Sequence, residues 1–244
     1  MTPAGTGDAP RRDQACSIAV IIPTLDEEQS IADVVRRIPR DLAGRIIVAD
    51  GGSRDDTAAR ASAAGAEVIH VGRGYGRACL AAALAAANAD ILVFMDGDGA
   101  DDALALARLV EPIGSGRYDL VIGSRARGKR EPGSMAWHQL AAGRLLGWAI
   151  WLLYGTRYTD MGALRAIRRD RLLDLGMREL TYGWNVEMQM RAARAGLRIL
   201  EVAVDYRRRR GGRSKVAGSL SGTLRAGTRI LMTFLRVARE RRAG

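Results

Sequence analysis

Cysteine is scarce in this sequence of 244 residues. The two present, Cys16 and Cys79, lie in no Cys-x-x-Cys pair and no Cys/His array. This excludes a disulfide framework or a structural zinc site as the organising element, and it favours a reducing, cytoplasmic location. Aromatic residues are also few, at 5%. Because no recognisable RNA or DNA motif interleaves them with basic residues, a nucleic-acid-binding protein is the least favoured function class.

Long apolar runs are absent as well. The longest, from Leu145 to Gly155, is too short to cross a bilayer. Residues 1–15 are rich in Gly, Pro, Thr and Arg and lack an apolar core, so they predict a disordered N-terminal arm and not a signal peptide. Hydrophobic residues still make up 48% of the chain, which is enough for a buried core.

Lysine is nearly missing, since only Lys129 and Lys215 occur, yet the net charge is +11. Residues 207–244 contain 12 of the 38 basic residues and a single acid, Glu240. The rest of the chain is neutral, with 26 basic and 26 acidic residues. This asymmetry predicts an anionic partner at one end of the molecule.

Short apolar runs alternate with helical patterns from residue 17 onward. The predicted strands are 17–24, 45–50, 66–71, 90–96 and 118–124, and the predicted helices between them are 31–38, 57–65, 77–88 and 102–110. Continuous apolar strands between helices predict a doubly wound α/β fold, with a mostly parallel sheet covered on both faces. Such sheets bind ligands at the carboxyl ends of their strands.

The second half is less regular. It predicts helices over 135–154, 183–195 and 216–240 and strands over 163–168 and 197–207. We predict one α/β domain over 16–215, followed by a basic amphipathic C-terminal helix in 216–244.

Acidic residues follow three of the predicted strands. Asp26, Glu27 and Glu28 follow the first strand, Asp50 ends the second, and Asp96 and Asp98 lie at the end of the fourth. Two acids separated by a glycine suit a loop that binds a hard cation such as Mg²⁺ or Mn²⁺ together with substrate phosphates. For Ser53 and Asp55, which follow Asp50, helix N-capping is an equally good interpretation.

A glycine-rich segment, Gly72–Arg77, follows the third predicted strand. Its Gly-x-Gly-x-Gly spacing is not a dinucleotide fingerprint. With two arginines in it, a phosphate contact through Arg77 and a plain tight turn are about equally supported.

Eight segments in a fixed order carry a family resemblance: IIPTLDEEQSI, VADGGSRDDT, GRGYGRA, FMDGDGADD, GSRARG, TDMGALRAIRRD, GWNVEMQMRAARAG and YRRRRGGRSK. Together they resemble the family 2 inverting glycosyltransferases with the GT-A (Rossmann-like) fold. The sequence is most similar to the branch of dolichol-phosphate-mannose synthases and polyprenyl-phosphate glycosyltransferases. The resemblance implies a UDP- or GDP-sugar donor, bound Mg²⁺ or Mn²⁺, and a polyprenyl phosphate acceptor.

The resemblance also implies roles for individual residues. On the donor side these are Pro23, Thr24, Glu27, Asp50, Asp96 and Ser124, with Asp96 and Asp98 as the metal ligands. Arg125 would lie beside the sugar and phosphates, and phosphates would be held by Arg209, Ser214 and Lys215. The sequence departs from the family pattern at three positions. Asp26 stands where the family usually has an Asn, Gly51 replaces the second acid of a common Asp-Asp pair, and Ala100 replaces a Gln of the mannose-synthase motif. The resemblance therefore does not imply mannose.

The catalytic residues depend on the acceptor. A phosphate acceptor is already an oxyanion at neutral pH and needs no strong base, whereas an alcohol needs one. Asp98, Arg125 and Arg209 are predicted to be catalytic in either case, and Asp160 or Glu187 is the candidate base. An ion pair of Glu187 with Arg191 on a helix surface is the competing interpretation.

The C-terminal helix is predicted to be amphipathic. A helical wheel places Arg225, Arg229, Arg236 and Arg239 on one side and Leu220, Leu224, Leu231, Leu235 and Ala238 on the other. We predict peripheral attachment to the anionic inner face of a membrane, with 145–155 beside the helix. The alternatives are that both segments pack on the body with the arginines in solvent, and that the acceptor is a soluble small molecule.

Overall fold

The computed structural model describes residues 16–211 and 220–240. Seven strands form one sheet in this part of the chain. They are β1 (Ile18–Thr24), β2 (Arg45–Asp50), β3 (Glu67–His70), β4 (Ile91–Phe94), β5 (Leu120–Ser124), β6 (Arg165–Arg168) and β7 (Ile199–Ala203). The helices are α1 (Ile31–Arg37), α2 (Thr57–Ala63), α3 (Tyr75–Ala85), α4 (Leu106–Gly114), α5 (Trp137–Tyr154), α6 (Arg169–Asp174), α7 (Trp184–Arg194) and α8 (Leu220–Arg239).

The strand order is β3-β2-β1-β4-β6-β5-β7. Every pair is parallel except those of β6, which runs antiparallel to both β4 and β5. The mostly parallel α/β sheet is confirmed, but the sequence did not predict the reversal at β6. Because β6 is reversed, its first residue lies at the edge where β4 and β5 end.

Two apolar clusters cover the sheet. Successive residues of a strand point to opposite faces. In β1, Ile21 accordingly packs in the cluster with α3 and α7, while Val20 and Ile22 pack in the cluster with α1 and α4. The prediction of a sheet covered on both faces is therefore confirmed.

The inner side of α8 packs on the body. Ala226, Thr233 and Val237 are buried, and α8 contacts α7. Two predicted basic-face residues contact buried acids of the body while staying partly exposed: Arg229 bonds Glu179 at 3.1 Å and Arg236 bonds Glu187 at 3.1 Å. These two arginines therefore lie at the rim of the helix and are not free for an anionic surface, which the helical wheel did not predict.

The outward side of α8 carries apolar side chains together with arginines such as Arg225 and Arg239. Its exposed large hydrophobic side chains are Leu224, Leu231, Met232 and Leu235. The outer face of α5 is similar, with exposed Trp137, Leu145, Trp148, Leu152 and Leu153. The alternative in which the helix packs on the body with its arginines in solvent therefore fits α8 in part, since Arg225 and Arg239 are exposed, but several leucines are exposed as well. Neither helix is long and apolar enough to span a membrane, and no other helix in the described ranges is.

Candidate active site at the carboxyl edge of the sheet

The ends of β1 and β2 form one side of a crevice. Asp50 is buried and accepts hydrogen bonds from the Ser53 main-chain N–H at 3.2 Å and from the Ser53 hydroxyl. His70 at the end of β3 places Nδ1 3.5 Å from the Asp50 carboxylate. Pro23 and Thr24 lie beside β2, and the buried Thr24 hydroxyl has no hydrogen-bond partner within the described ranges. Together these residues form a polar wall on one side of the crevice.

Three acidic residues, Asp96, Asp98 and Asp101, lie in the segment that follows β4. Asp101 accepts a hydrogen bond from the Asp96 main-chain N–H at 3.0 Å, and Asp98 accepts one from the Ala100 N–H at 2.9 Å. Removal from solvent, together with the charges of Asp101 and Asp98, raises the pKa of Asp96 well above its usual range. Burial raises the pKa of Asp101 to about 6. A cation would relieve this repulsion.

The donor set fits a divalent metal that takes few protein ligands. Within 16–211 and 220–240, no three His, Cys, Asp or Glu side chains converge on one point. Asp96 and Asp98 therefore supply at most two carboxylates. Mg²⁺ and related hard cations are commonly bound by one or two carboxylates, with phosphates and water completing the shell.

Arg125 and Asp160 form a buried, bidentate ion pair. The guanidinium donates from Nε to Oδ2 at 2.7 Å and from Nη2 to Oδ1 at 2.8 Å. Burial alone would raise the pKa of Asp160, but the hydrogen bonds and charge of Arg125 outweigh it and keep the pKa below its usual range. Tyr206 stacks on this guanidinium at 5.0 Å. Because its pKa is lowered and both of its oxygens are bonded by Arg125, Asp160 is a weak base.

Ser124 begins a short polar chain beside this pair. Its hydroxyl lies 2.7 Å from the hydroxyl of Thr159, which donates to Glu201 at 2.8 Å. Since Ser124 and Glu201 lie on the parallel neighbours β5 and β7, the chain fixes the loop before Asp160 against the sheet.

Arg209 reaches the crevice from the segment after β7. It bonds Glu27 at 2.9 Å and Asp98 at 3.1 Å, so it joins the ends of β1 and β4. The predicted phosphate-binding residues Ser214 and Lys215 lie outside the described residues.

The glycine-rich segment Gly72–Arg77 packs tightly on the main chain. The first N–H groups of α3 are already used, because Arg77 donates to the Leu180 carbonyl at 2.9 Å and Gly76 to that of Thr181 at 3.3 Å. A side chain at Gly76 would collide with the Glu179 carbonyl, 2.2 Å away. This favours the structural interpretation of the glycines. Arg77 itself is exposed, and its donor contact stays a prediction.

Glu187 is fully buried in the contact between α7 and α8. It bonds Arg191 at 2.9 Å, as the competing interpretation expected, but within the protein and not on its surface. Since it also accepts the N–H groups of Arg178 and Glu179, it has a structural role and does not fit a catalytic base.

Two crevice residues were missed by sequence reasoning. Asp101 follows the Asp96–Asp98 pair by three positions, and its acidity was the available signal. Tyr206 precedes four arginines, and nothing in the sequence indicates that its ring would stack on Arg125.

Comparison with known proteins gives consistent results. The model of glycosyl transferase family 2 matches residues 19–174. An uncharacterised glycosyltransferase of Mycobacterium tuberculosis is 38% identical over 211 residues, which cover 85% of this chain and 93% of that protein. The undecaprenyl-phosphate mannosyltransferase of Micrococcus luteus is 34% identical, covering 84% and 89%.

Comparison with a solved structure supports the same family at the level of the fold. Glucosyl-3-phosphoglycerate synthase from Mycobacterium tuberculosis, in complex with Mn²⁺, UDP-glucose and phosphoglyceric acid, superimposes with a TM-score of 0.76 at 26% identity. The match covers 94% of this chain and 82% of the synthase. With the family model matching well over half of the sequence, this chain belongs to glycosyl transferase family 2 and is a glycosyltransferase with a GT-A fold.

Proposed function

We propose that this glycosyltransferase moves a sugar, with inversion, from a nucleoside diphosphate to a polyprenyl phosphate at a membrane surface. The observation that carries the proposal is the charge arrangement of the crevice. Asp96 and Asp98 lie at one strand end, and Arg125 and Arg209 lie within the same edge of the sheet. Such a site holds a diphosphate and stabilises the charge that develops as it departs.

Asp96 and Asp98 are the residues that would hold a divalent metal. When bound, Mg²⁺ or Mn²⁺ supplies Lewis-acid stabilisation of a diphosphate leaving group. A structural relative binds Mn²⁺ together with UDP-glucose, which supports a nucleotide-sugar donor. Arg125 is kept in position by Asp160, and Arg209 by Glu27, so both cations are preorganised.

The state of Asp160 favours a phosphate acceptor. Its carboxylate is occupied by Arg125 and its pKa is lowered, so it is poorly suited to accept the proton of an alcohol. A phosphate monoester has a second pKa near ~6 and attacks as an oxyanion without a base. The acceptor class that suits this crevice is therefore a phosphate.

The exposed apolar faces of α5 and α8 favour a lipid carrier for that phosphate. An exposed apolar face on an amphipathic helix is suited to the headgroup region of a bilayer. The relative from Micrococcus luteus is named for an undecaprenyl phosphate substrate, which supports the same acceptor class.

A soluble phosphorylated acid is the second candidate acceptor. The structural relative that binds UDP-glucose also binds phosphoglyceric acid, and it covers 94% of this chain. This candidate predicts full activity without lipid or detergent.

A donor and acceptor matrix tests the proposal. Purified protein with Mg²⁺ or Mn²⁺ is incubated with UDP- or GDP-linked sugars and with undecaprenyl phosphate in detergent or phosphoglyceric acid in buffer. We expect labelled sugar in the lipid phosphate fraction only. Transfer to phosphoglyceric acid alone would favour the second candidate, and no transfer from any donor would contradict both.

A further inference from the structure

Arg165 is a fully buried arginine at the start of β6. Its guanidinium donates to main-chain carbonyls of Gly162, of Ala163 at 3.3 Å and of Asn185 at 3.3 Å. Nη1 also lies 3.7 Å from the Met188 sulfur. It forms no ion pair with a carboxylate of the described residues. A charge is thus held by carbonyl dipoles in the interior of the protein.

This arrangement is energetically expensive for a purely structural residue. A buried charge is strongly unfavourable unless it is paired, and apolar residues of similar volume are often as stable or more stable at such positions. Burial lowers the pKa of Arg165, but an arginine still remains charged at neutral pH. We therefore expect Arg165 to have a role other than packing.

That position is next to the crevice. Arg165 pairs with Phe94 of β4 and with Ile122 of β5, immediately before the segments that carry Asp96 and Arg125. The carbonyl of Gly162 that it holds belongs to the loop after Asp160. A side chain at Gly162 would start only 3.2 Å from Nε of Arg125 and 3.3 Å from the Asp160 carboxylate. The loop main chain thus lies directly against the Arg125–Asp160 pair.

We propose that Arg165 is a positioning residue for glycosyl transfer, which fixes the 160–163 loop and thereby the direction of the Arg125 guanidinium. The inference rests on the proposed function only in that Arg125 acts on the departing diphosphate. Gln189 supports the same loop from α7, because its amide donates to the Asp160 carbonyl at 3.1 Å. Arg165 does not touch the substrate and acts through Arg125.

The test compares Arg165→Met with Arg168→Met, a control on the same strand whose arginine is paired with Asp170 on the outside. We expect Arg165→Met to lower kcat about tenfold or more with the donor KM within about twofold, because an interaction used only in the transition state is lost. Arg168→Met should leave both constants unchanged. A wild-type kcat in Arg165→Met would overturn the proposal. If Arg165→Met does not fold, Arg165→Lys keeps the charge but loses the fork that reaches separate carbonyls, and the same kcat loss is expected.

A double-mutant cycle with Arg125→Met separates positioning from general destabilisation. If Arg165 acts through Arg125, the double variant should be no slower than Arg125→Met alone. Additive losses would contradict the proposal. A crystal structure of Arg165→Met gives a readout independent of transfer: the 2.7 Å contact between Arg125 and Asp160 should be displaced. If the wild type transfers no sugar, the proposed function fails while this geometric readout still decides the role of Arg165.

Discussion

Arg209 differs from the arginines around it in what it contacts. It holds two crevice carboxylates, those of Glu27 and Asp98, and only a quarter of its side chain is exposed. Arg208 instead donates to the Pro132 carbonyl at 2.6 Å. The family resemblance already selected Arg209 among the four arginines in 207–210, and the fold supplies the contacts that distinguish it.

We expect Arg209→Ala to lower kcat by about a hundredfold, because a preorganised cation beside the leaving group acts on charge that develops in the transition state. Arg208→Ala is the matched control and should stay within about twofold of the wild-type kcat, because exposed charges contribute little. Steady-state kinetics with saturating donor make the comparison. Equal, small losses in both variants would mean that the segment is only a diffuse basic patch.

At the scale of elements, α8 is joined to α7 by buried ion pairs. Glu187 bonds Arg191 and Arg236, and Arg191 also bonds Glu240 at 2.9 Å beyond the end of α8. Glu179 joins the same network through Arg229. The segment after Glu179 accepts the first N–H groups of α3, so α8 also supports the glycine-rich loop. Removing α8 would leave two buried carboxylates without these partners, and the helix is therefore part of the fold.

Arg191→Met should lower the free energy of unfolding by about 3 kcal/mol, since removing one partner leaves the buried Glu187 carboxylate poorly compensated. Arg225→Met, at an exposed position of α8, should change it by less than about 0.5 kcal/mol. Urea denaturation followed by circular dichroism measures both. Similar values for the two variants would show that the buried network does not stabilise the α7–α8 contact.

Much of this arrangement could be predicted from the sequence, for a physical reason. Apolar runs such as 17–24 are buried on both faces of the sheet, and acids such as Asp50 and Asp98 come at the ends of such runs. Both the strands and the ligand-binding edge can therefore be predicted from short stretches of sequence. The direction of β6 cannot be predicted in this way, because the apolar run 163–168 fits a parallel or an antiparallel strand equally well. The ion pairs of Arg229 and Arg236 depend on acids about fifty residues earlier in the chain, which a helical wheel does not include.

At the scale of the whole molecule, α5 and α8 both carry exposed apolar faces, while α7 packs against each of them. Replacing Leu224, Leu231 and Leu235 with Ser should weaken binding to anionic liposomes at least tenfold, because each leucine contributes up to about 1.5–3 kcal/mol when buried in an apolar phase. The melting temperature should not fall, since all three are exposed.

A control with the same chemistry is available on the body of the protein. Leu84, Leu104 and Leu173 are also exposed, and none lies on α5 or α8. Their combined replacement with Ser should leave sedimentation with liposomes unchanged. If both triple variants bind liposomes like the wild type, the outer face of α8 is not the membrane contact.

If the sugar leaves its nucleotide in the crevice around Asp98, transfer should fail in Asp98→Ala. Labelled sugar reaching undecaprenyl phosphate is measured for the wild type, for Asp98→Ala and for Asp41→Ala, a control at an exposed loop position. We expect Asp98→Ala to lose at least about a hundredfold in rate with Mg²⁺ or Mn²⁺ present, because it removes a carboxylate that would hold the metal. Asp41→Ala should match the wild type. Transfer by folded Asp98→Ala at the wild-type rate would show that the sugar does not leave its nucleotide in this crevice.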